Sequence, residues 1–313
     1  MPLNASEYKT VLYIEIAICC RNYIYLSKSI KMNICKPLIL QAVYYIKNSR
    51  RRLLKGEIVL KYKIFGKKQI TMTVLIIIWA AVLLTVIILT ATKTVNAQEE
   101  KIPVFSVERS DKKIALTFNA AWGNGTTDEI LGILNENDIN ATFFIVGSFA
   151  KSFPESIKKI YNAGHELGNH SLKHLDPVKQ EYSDIIADMS ACGDIIYSLT
   201  GAFPLVYRAP SGSYDNKTVE AAENLGMTAV QWSADSIDWK DPSPEMITDR
   251  ILKKTAPGGI LLFHLDKENT AEALPGIIKL LKSDGYEFVT VSELLLEGDT
   301  IVDFKGVQHP IEN

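Results

Sequence analysis

Short apolar runs alternate with amphipathic segments from residue 114 to residue 297, and this alternation constrains the fold more than any other feature. Apolar runs bounded by polar turns are typical of buried strands, and the segments between them have helical periodicity. Strands are predicted at residues 114–118, 141–146, 166–169, 205–208, 228–232, 259–263 and 287–290. Helices are predicted at 127–137, 154–163, 183–200, 215–225, 244–255, 274–283 and 292–297. Because strand–helix repeats with short loops form parallel sheets covered by helices, we predict an α/β fold, a distorted and closed (β/α)7 barrel.

An uncharged segment at residues 70–91 precedes this region and is long enough to span a bilayer core as a helix. Four lysines stand before the segment and one follows it: Lys61, Lys63, Lys67, Lys68 and Lys93. Because positive charge is retained on the cytoplasmic side, we predict a single-pass transmembrane helix with the C-terminal part outside the cytoplasm. Residues 95–97, Val-Asn-Ala, resemble a cleavage site, so a cleaved signal segment is the alternative.

Segment boundaries follow from these two features. Residues 1–69 are predicted to be a cytoplasmic tail, 92–110 a linker, 111–297 the α/β domain and 298–313 a C-terminal tail. Residues 1–58 have an alternative explanation, because residues 55–57 can be encoded by a ribosome-binding sequence, with translation starting at Val59 or Leu60. Cys192 is the only cysteine after the apolar segment, which excludes an internal disulfide there and indicates a buried apolar role.

Charge is divided unevenly along the chain. Residues 1–97 contain 15 basic and 3 acidic residues, whereas the remaining 216 residues contain 19 basic and 33 acidic residues. Nucleic-acid binding requires a basic surface, so the acidic α/β part is not expected to bind nucleic acid.

Three of the five histidines lie between Gly164 and His174. His170 and His174 are four residues apart, a spacing that puts both imidazoles on one side of a helical turn, where they can share a divalent ion. Gly164 and Gly168 allow the backbone to turn sharply just before this pair. The alternative is a polar helix start with solvated histidines.

Further polar residues follow the predicted strands. Asn119, Arg208, Asp235, Asp238 and His264 all lie at or just beyond a strand end, as the histidine pair does. In (β/α) barrels the chemistry occurs at the carboxyl ends of the strands, so these residues form a candidate site. The alternatives are turn residues for Asp235 and Asp238, and a hydrogen-bonded core histidine for His264.

Five segments resemble the polysaccharide deacetylase (NodB homology) domain, carbohydrate esterase family 4, in order and spacing. They are residues 117–123, 169–174, 208–212, 235–239 and 262–264, and the resemblance covers about residues 111–297. The Phe-x-x-x-Trp-Gly form of the first segment, together with the apolar segment, is similar to sporulation-linked deacetylases of the PdaB type. The resemblance implies removal of N-acetyl groups from cell-wall glycan, namely peptidoglycan or its spore cortex form.

The resemblance also implies roles for single residues. His170 and His174 would bind a divalent metal, with zinc expected and cobalt or manganese as alternatives. His264 would protonate the departing amine. Arg208 would orient the acidic group at the first strand, while Asp235 and Asp238 would hold Arg208 and tune His264. The glycan would be bound by three further residues: Trp239, Ser211 through its backbone N–H, and Trp122.

The first segment departs from the family's Thr-Phe-Asp-Asp-Gly pattern, because Asn119 and Ala120 replace the base and a metal ligand. A neutral amide cannot take a proton from water near pH 7, and a general base contributes about 10²–10⁴-fold in rate. Three interpretations follow. Another carboxylate substitutes for the base, with Asp128 one candidate; a metal hydroxide acts alone at a low rate; or the protein binds glycan without cleaving it.

Overall fold

The computed structural model describes residues 67–95 and 100–311, with side chains described for 71–86 and 100–311. The chain divides into two compact units, Met1–Thr94 and Val95–Asn313. Helix α1, Lys67–Val95, covers the predicted transmembrane segment. Among the described residues, no helix has both the length and the apolar character needed to cross a membrane. The side chains of residues 87–91 are not among those described, so the transmembrane anchor stays a prediction. Residues 1–66 of the predicted cytoplasmic tail also lie outside the described residues.

The second unit is built from short strands and helices. Its strands are β1 Ser106–Val107, β2 Lys113–Ala120, β3 Thr142–Ile145, β4 Glu166–Asn169, β5 Val206–Tyr207, β6 Thr228–Ala229, β7 Ala234–Asp235, β8 Ile260–His264, β9 Glu287–Val289, β10 Thr300–Val302 and β11 Val307–Pro310. Its helices are α2 Thr127–Glu136, α3 Gly147–Ser152, α4 Pro154–Asn162, α5 Tyr182–Thr200, α6 Asn216–Asn224, α7 Pro244–Lys254, α8 Glu268–Ser283 and α9 Val291–Leu294. Turns of 3₁₀ helix occur at Pro177–Lys179, Pro210–Gly212 and Asp238–Lys240.

The main sheet is parallel and has the strand order β6-β5-β4-β3-β2-β8-β7, with β9 also pairing with β2. Strand β2 lies at its centre, with Asn119 in register with Phe144 on β3 and His264 on β8. Alternate residues of β2 face opposite sides. Leu116 and Phe118 pack in the core beneath helices α2, α7 and α8, whereas the side chains of Thr117 and Asn119 meet Arg208 inside the curved sheet.

The strands fit a distorted (β/α)7 barrel, but the expectation of a closed barrel is wrong. Strands β6 and β7 are the two edges of the sheet, so the ladder is open between them. Only residues 230–233 connect these strands, and neighbouring parallel strands need a crossover of about a dozen residues or more. Val104 instead bridges Val230 and Ser106 bridges Gly259, so the segment before β2 lies at the open side of the half-barrel.

Most predicted elements occur, with shifted ends. The helix predicted at 274–283 begins earlier, at Glu268, and contains Pro275 in its interior. Helix α3 and strand β7 were not predicted, because each is too short for its periodicity to be read. Residues 298–313, predicted as a tail, contribute β10 and β11, which form a second sheet with β1 in the order β1-β11-β10.

Glycine is required where β1 meets the half-barrel. Gly258 has φ +75°, and a Cβ added there would lie 1.8 Å from the carbonyl oxygen of Val107. The Val107 amide donates to the Gly258 carbonyl at 2.9 Å. Only a residue without a side chain permits this approach, which holds the N-terminal segment of the domain against the sheet.

Candidate active site

A cleft of about 560 Å³ opens at the carboxyl ends of the parallel strands. Seven of the predicted site residues line it: Asn119, Trp122, His174, Ser211, Asp235, Trp239 and His264. The other three, His170, Arg208 and Asp238, lie beneath it and are buried. Strand ends that are distant in sequence meet here because the parallel sheet places all their carboxyl ends at one edge.

The histidine pair forms without a helix. Residues 170–176 are loop, and Ser171 and His174 both have left-handed backbones, with φ 70° and 57°. The Asn169 side chain accepts from the Ser171 amide at 2.9 Å, and the Ser171 hydroxyl accepts from the His174 amide at 2.9 Å. These bonds replace the predicted helical turn, and they bring the rings of His170 and His174 to a centroid distance of 5.0 Å at 83°.

His170 has the protonation state that a metal ligand needs. Its Nδ1 lies 2.7 Å from the carbonyl oxygen of Arg208, which can only accept, so Nδ1 carries the proton. Its Nε2 is buried and has no hydrogen-bond partner among residues 71–86 and 100–311, whose side chains the structure describes. Burial, together with the neighbouring His174, lowers the pKa of His170 well below its usual value. Burial also lowers the pKa of His174, so both rings are neutral near pH 7.

The unpartnered Nε2 of His170 and the adjacent His174 ring fit a shared divalent ion. The rest of a metal site is sparse: among the described residues, no group of three or more His, Cys, Asp or Glu side chains is arranged to hold a metal. Ala120, at the position of the family's metal-binding Asp, is fully buried in the core. The pair would therefore hold a metal with two neutral imidazoles, which predicts low affinity.

Arg208 is fully buried beneath Asn119, and no carboxylate in the described part of the chain hydrogen-bonds its guanidinium. It donates to Asn119 Oδ1 at 3.1 Å, to Thr117 Oγ1 at 2.9 Å and to the Gln231 carbonyl at 2.9 Å. The guanidinium carbon lies 3.9 Å from the Phe144 ring centroid. Burial lowers the pKa of Arg208 to about 9, although the nearby charge of Asp235 opposes this. An aspartate at position 119 would supply the charge that this cation lacks.

The expectation that Asp235 and Asp238 hold Arg208 has one observation behind it, the charge of Asp235, which raises the pKa of Arg208. Neither carboxylate is among the described hydrogen-bond partners of the guanidinium. Asp235 Oδ1 instead accepts from the Ile237 amide at 2.8 Å, which stabilises a turn in which Ile237 has φ 54°. That turn positions Asp238 beneath His264. The two carboxylates therefore act on the loop and on the histidine, and Arg208 is held by neutral groups.

Asp238 orients His264. Its Oδ1 lies 2.6 Å from His264 Nδ1, and its Oδ2 accepts from the His264 amide at 2.7 Å and from the Thr270 hydroxyl at 2.6 Å. Burial raises the pKa of Asp238, but the hydrogen bonds from His264 and Thr270 outweigh it and lower the pKa overall. Asp238 is therefore ionised and fixes Nδ1–H of His264, which leaves Nε2 to exchange a proton.

Aromatic side chains form the walls of the cleft. Trp122 and Trp239 are 68% and 53% exposed, which suits stacking on a sugar ring. The Trp122 ring lies 5.3 Å from the His174 ring. Trp232 also lines the cleft, and it packs against the hydrophobic core as well. A Cβ on Gly212 would lie 2.9 Å from the Trp232 ring, so the loop of Ser211 packs directly on this tryptophan.

Sequence reasoning also missed Asp266 and Lys267, which line the cleft just beyond His264. Both residues follow His264 by two and three positions at the same strand end, and this position could have indicated that they belong to the site. Asp128, the candidate substitute carboxylate, does not line the cleft. It lies on the first turn of α2, is largely exposed and pairs with Lys159 at 2.7 Å.

Comparison with known proteins connects this site to a family. A family profile described as "Polysaccharide deacetylase" matches residues 106–230. The chain is 32% identical over 212 residues to the peptidoglycan-N-acetylmuramic acid deacetylase PdaA of Bacillus subtilis. The alignment covers 66% of this chain and 81% of PdaA. It is 34% identical over 194 residues to the peptidoglycan-N-acetylglucosamine deacetylase PgdA of Listeria monocytogenes. That alignment covers 62% of this chain but only 41% of PgdA.

Solved structures give the same relationship. A wild-type CE4 family pseudoenzyme from Bacillus anthracis is 34% identical with a TM-score of 0.60, covering 61% of this chain and 68% of that chain. A mutant of that pseudoenzyme with restored enzymatic activity has the same TM-score of 0.60 and covers 61% of this chain and 70% of that chain. The similarity therefore extends both to active enzymes and to a protein described as a pseudoenzyme.

Proposed function

The chain belongs to the polysaccharide deacetylase family, and we propose that its cleft binds N-acetylated cell-wall glycan and hydrolyses the acetamido group at a low rate. The observation that carries this proposal is the pairing of His264 with the buried Asp238 at the edge of the cleft, at 2.6 Å. This pairing fixes Nδ1 of His264 and leaves Nε2 able to donate a proton, which is what cleavage of the C–N bond requires. The substrate proposed is peptidoglycan or its spore cortex form.

Different side chains of the cleft would assist different steps of the hydrolysis. The oxygen of a water molecule bonds to the acetyl carbonyl carbon and the water loses one proton to the surrounding solvent. The C–N bond then breaks as the sugar nitrogen takes a proton, and the products are acetate and the amino sugar. His264 is placed to donate that proton, because Nδ1 is committed to Asp238 and Nε2 is free to exchange. The backbone N–H of Ser211, which lines the cleft, would stabilise the developing oxyanion. A divalent ion held by His170 and His174 would polarise the acetyl carbonyl.

A second candidate is a glycan-binding protein without hydrolytic activity. The observation that favours it is the contact of Arg208 with Asn119, in which a neutral amide stands where the family has its base. The structural similarity to a pseudoenzyme from Bacillus anthracis also supports it. In this case the tryptophans and His264 would recognise the glycan without turnover.

A location outside the cytoplasm, attached to the membrane by one helix, belongs to the same proposal. It is supported by the uncharged segment at residues 70–91 and the lysines that precede it. The proposed link to sporulation rests on the Phe-x-x-x-Trp-Gly segment that ends at Gly123.

The decisive experiment measures acetate release from an N-acetylglucosamine tetramer by the full chain with added zinc, cobalt or manganese. Slow release that His264→Ala abolishes is expected. Asn119→Asp is expected to raise the rate, because it places a carboxylate next to Arg208 at the position of the family's base. Asn135→Asp, an exposed change on α2, is the matched control. No release by the wild type with any ion, together with release by Asn119→Asp, would establish the silent alternative.

A further inference from the structure

The cleft contains a carboxylate that no family motif assigns. Asp266 lines it together with Asn119, His174 and His264. Its carboxylate has no hydrogen bond or ion pair with any other described residue, so its oxygens are free to accept a proton. Asp235, the other carboxylate lining the cleft, already accepts the amide that holds its own loop.

Asp266 lies close to the strand end where the family's carboxylates stand. The Leu265 amide donates to the Asn119 carbonyl at 2.9 Å, which continues the pairing of β8 with β2 one residue past His264. The Thr126 hydroxyl donates to the Leu265 carbonyl and ties the loop after β8 to the loop after β2. A Cβ on Gly123 would lie 3.2 Å from Asp266 Cβ, so Asp266 packs directly on the loop that follows Asn119.

The neighbouring cation, Lys267, responds to the charge of Asp266 but forms no ion pair with it among the described residues. Lys267 also lines the cleft, but its ammonium group is 3.0 Å from Asp241. Asp128 is excluded as a substitute because it pairs with Lys159 outside the cleft. Among the described residues, Asp266 is therefore the one carboxylate that lines the cleft and forms neither a hydrogen bond nor an ion pair within the protein.

We propose that Asp266 is the general base of the hydrolysis, in place of the aspartate that Asn119 replaces. This rests on the proposed function. The Asp266 carboxylate takes one proton from the attacking water while the water oxygen bonds to the acetyl carbonyl carbon. The C–N bond then breaks, His264 delivers a proton to the sugar nitrogen, and the products are acetate and the amino sugar. No oxidant, reductant or second substrate is needed.

The test compares Asp266→Asn, Asn119→Asp and the double variant of the full chain, with the same ion added to each. Two quantities are measured: acetate release from the N-acetylglucosamine tetramer, and the dissociation constant of the tetramer by calorimetry. Asp266→Asn should lower kcat by about 10²-fold or more. It should leave the dissociation constant within about twofold, because the lost interaction forms only in the transition state. Asp128→Asn is the matched control and should change neither quantity.

The double variant separates a base from a structural residue. With Asn119→Asp present, the base is restored at position 119, so adding Asp266→Asn should cost less than about twofold. If the double variant is instead as slow as Asp266→Asn, Asp266 only shapes the cleft and the proposal is overturned. Wild-type activity that Asp266→Asn leaves unchanged also overturns it, but leaves the proposed function standing. A wild type that binds the tetramer and releases no acetate refutes both.

Discussion

Residue 119 controls the electrostatics of the site because of what lies beneath it. Arg208 is a buried cation whose hydrogen-bond partners are an amide oxygen, a hydroxyl and a backbone carbonyl. Burying a charge without an opposite charge is costly, and the contact with the Phe144 ring offsets only part of that cost. The replacement of a carboxylate by Asn119 therefore removes a proton acceptor, and among the described residues no anion hydrogen-bonds Arg208, although the charge of Asp235 acts on it.

Loss of the Asp238 carboxylate should impair His264, the proposed proton donor of the site. Asp238→Asn places an amide N–H against the donors on His264 and Thr270, so His264 loses its fixed orientation. We expect acetate release by Asn119→Asp protein to fall about 10²–10⁴-fold. We also expect the free energy of unfolding to fall by about 1–3 kcal/mol, because a buried hydrogen bond is lost. Asp249→Asn, an exposed change on α7, is the control for both measurements. Equal rates for the two variants would contradict the assignment of Asp238.

At the scale of elements, the small sheet β1-β11-β10 joins the two ends of the second unit. His309 on β11 links these strands through ion pairs: its Nδ1 lies 2.7 Å from Glu108, just after β1, and its Nε2 lies 3.3 Å from Asp303, just after β10. The two carboxylates raise the pKa of His309 above its usual value. A residue first interpreted as part of a polar tail therefore connects segments about 200 positions apart in the sequence.

This contact should make the small sheet sensitive to pH. Because the folded pKa of His309 is raised above the unfolded value of about 6.5, its stabilising effect is complete below that value and is lost as the pH rises through the folded pKa. The Glu108 amide donates to the Gln308 carbonyl and reports on the sheet. Its hydrogen-exchange protection, corrected for intrinsic exchange, should fall as the pH rises above about 6.5 and through the raised pKa of His309. His309→Gln should abolish this dependence; an equal fall in that variant would show that another group titrates.

At the scale of the whole second unit, the half-barrel brings the site together. Strands β2, β7 and β8 and the loops after β4 and β5 each supply site residues, and they meet because every strand of the main sheet is parallel. The loop after β4 holds the histidine pair rigidly through the Asn169 and Ser171 side chains. A divalent ion bound by this pair only in the folded state should stabilise the native state.

Metal binding should therefore appear in the stability of the protein without any assay of activity. Zinc at about 100 times its dissociation constant should raise the free energy of unfolding by about 2.7 kcal/mol, and a chelator should reverse the effect. His170→Ala should abolish the zinc-dependent shift in Tm, each variant being compared with its own metal-free form. His309→Ala, far from the pair in sequence, should retain the shift. If both variants respond equally to zinc, the metal does not bind at His170 and His174.

Most of the fold and much of the site could be predicted from the sequence because the signals are local. The apolar runs of β2, β3 and β8 identify buried strands directly, and parallel strands must place Asn119 and His264 at one edge. The histidine pair was identified correctly as a close pair, although a loop with two left-handed residues, and not a helical turn, brings the rings together.

The tertiary structure decided the features that depend on contacts between distant segments. The barrel stays open because four residues between β6 and β7 cannot form a crossover, and that length matters only once the strand order is known. Asp128 and Asp266 are the same residue type, and the sequence does not distinguish between them. Of the two, only Asp266 lines the cleft, because it follows β8, whose end is adjacent to the end of β2. The sequence determines the residue types and the order in which strands follow one another along the chain. Which carboxylate lines the cleft depends on long-range packing, which no local sequence pattern predicts.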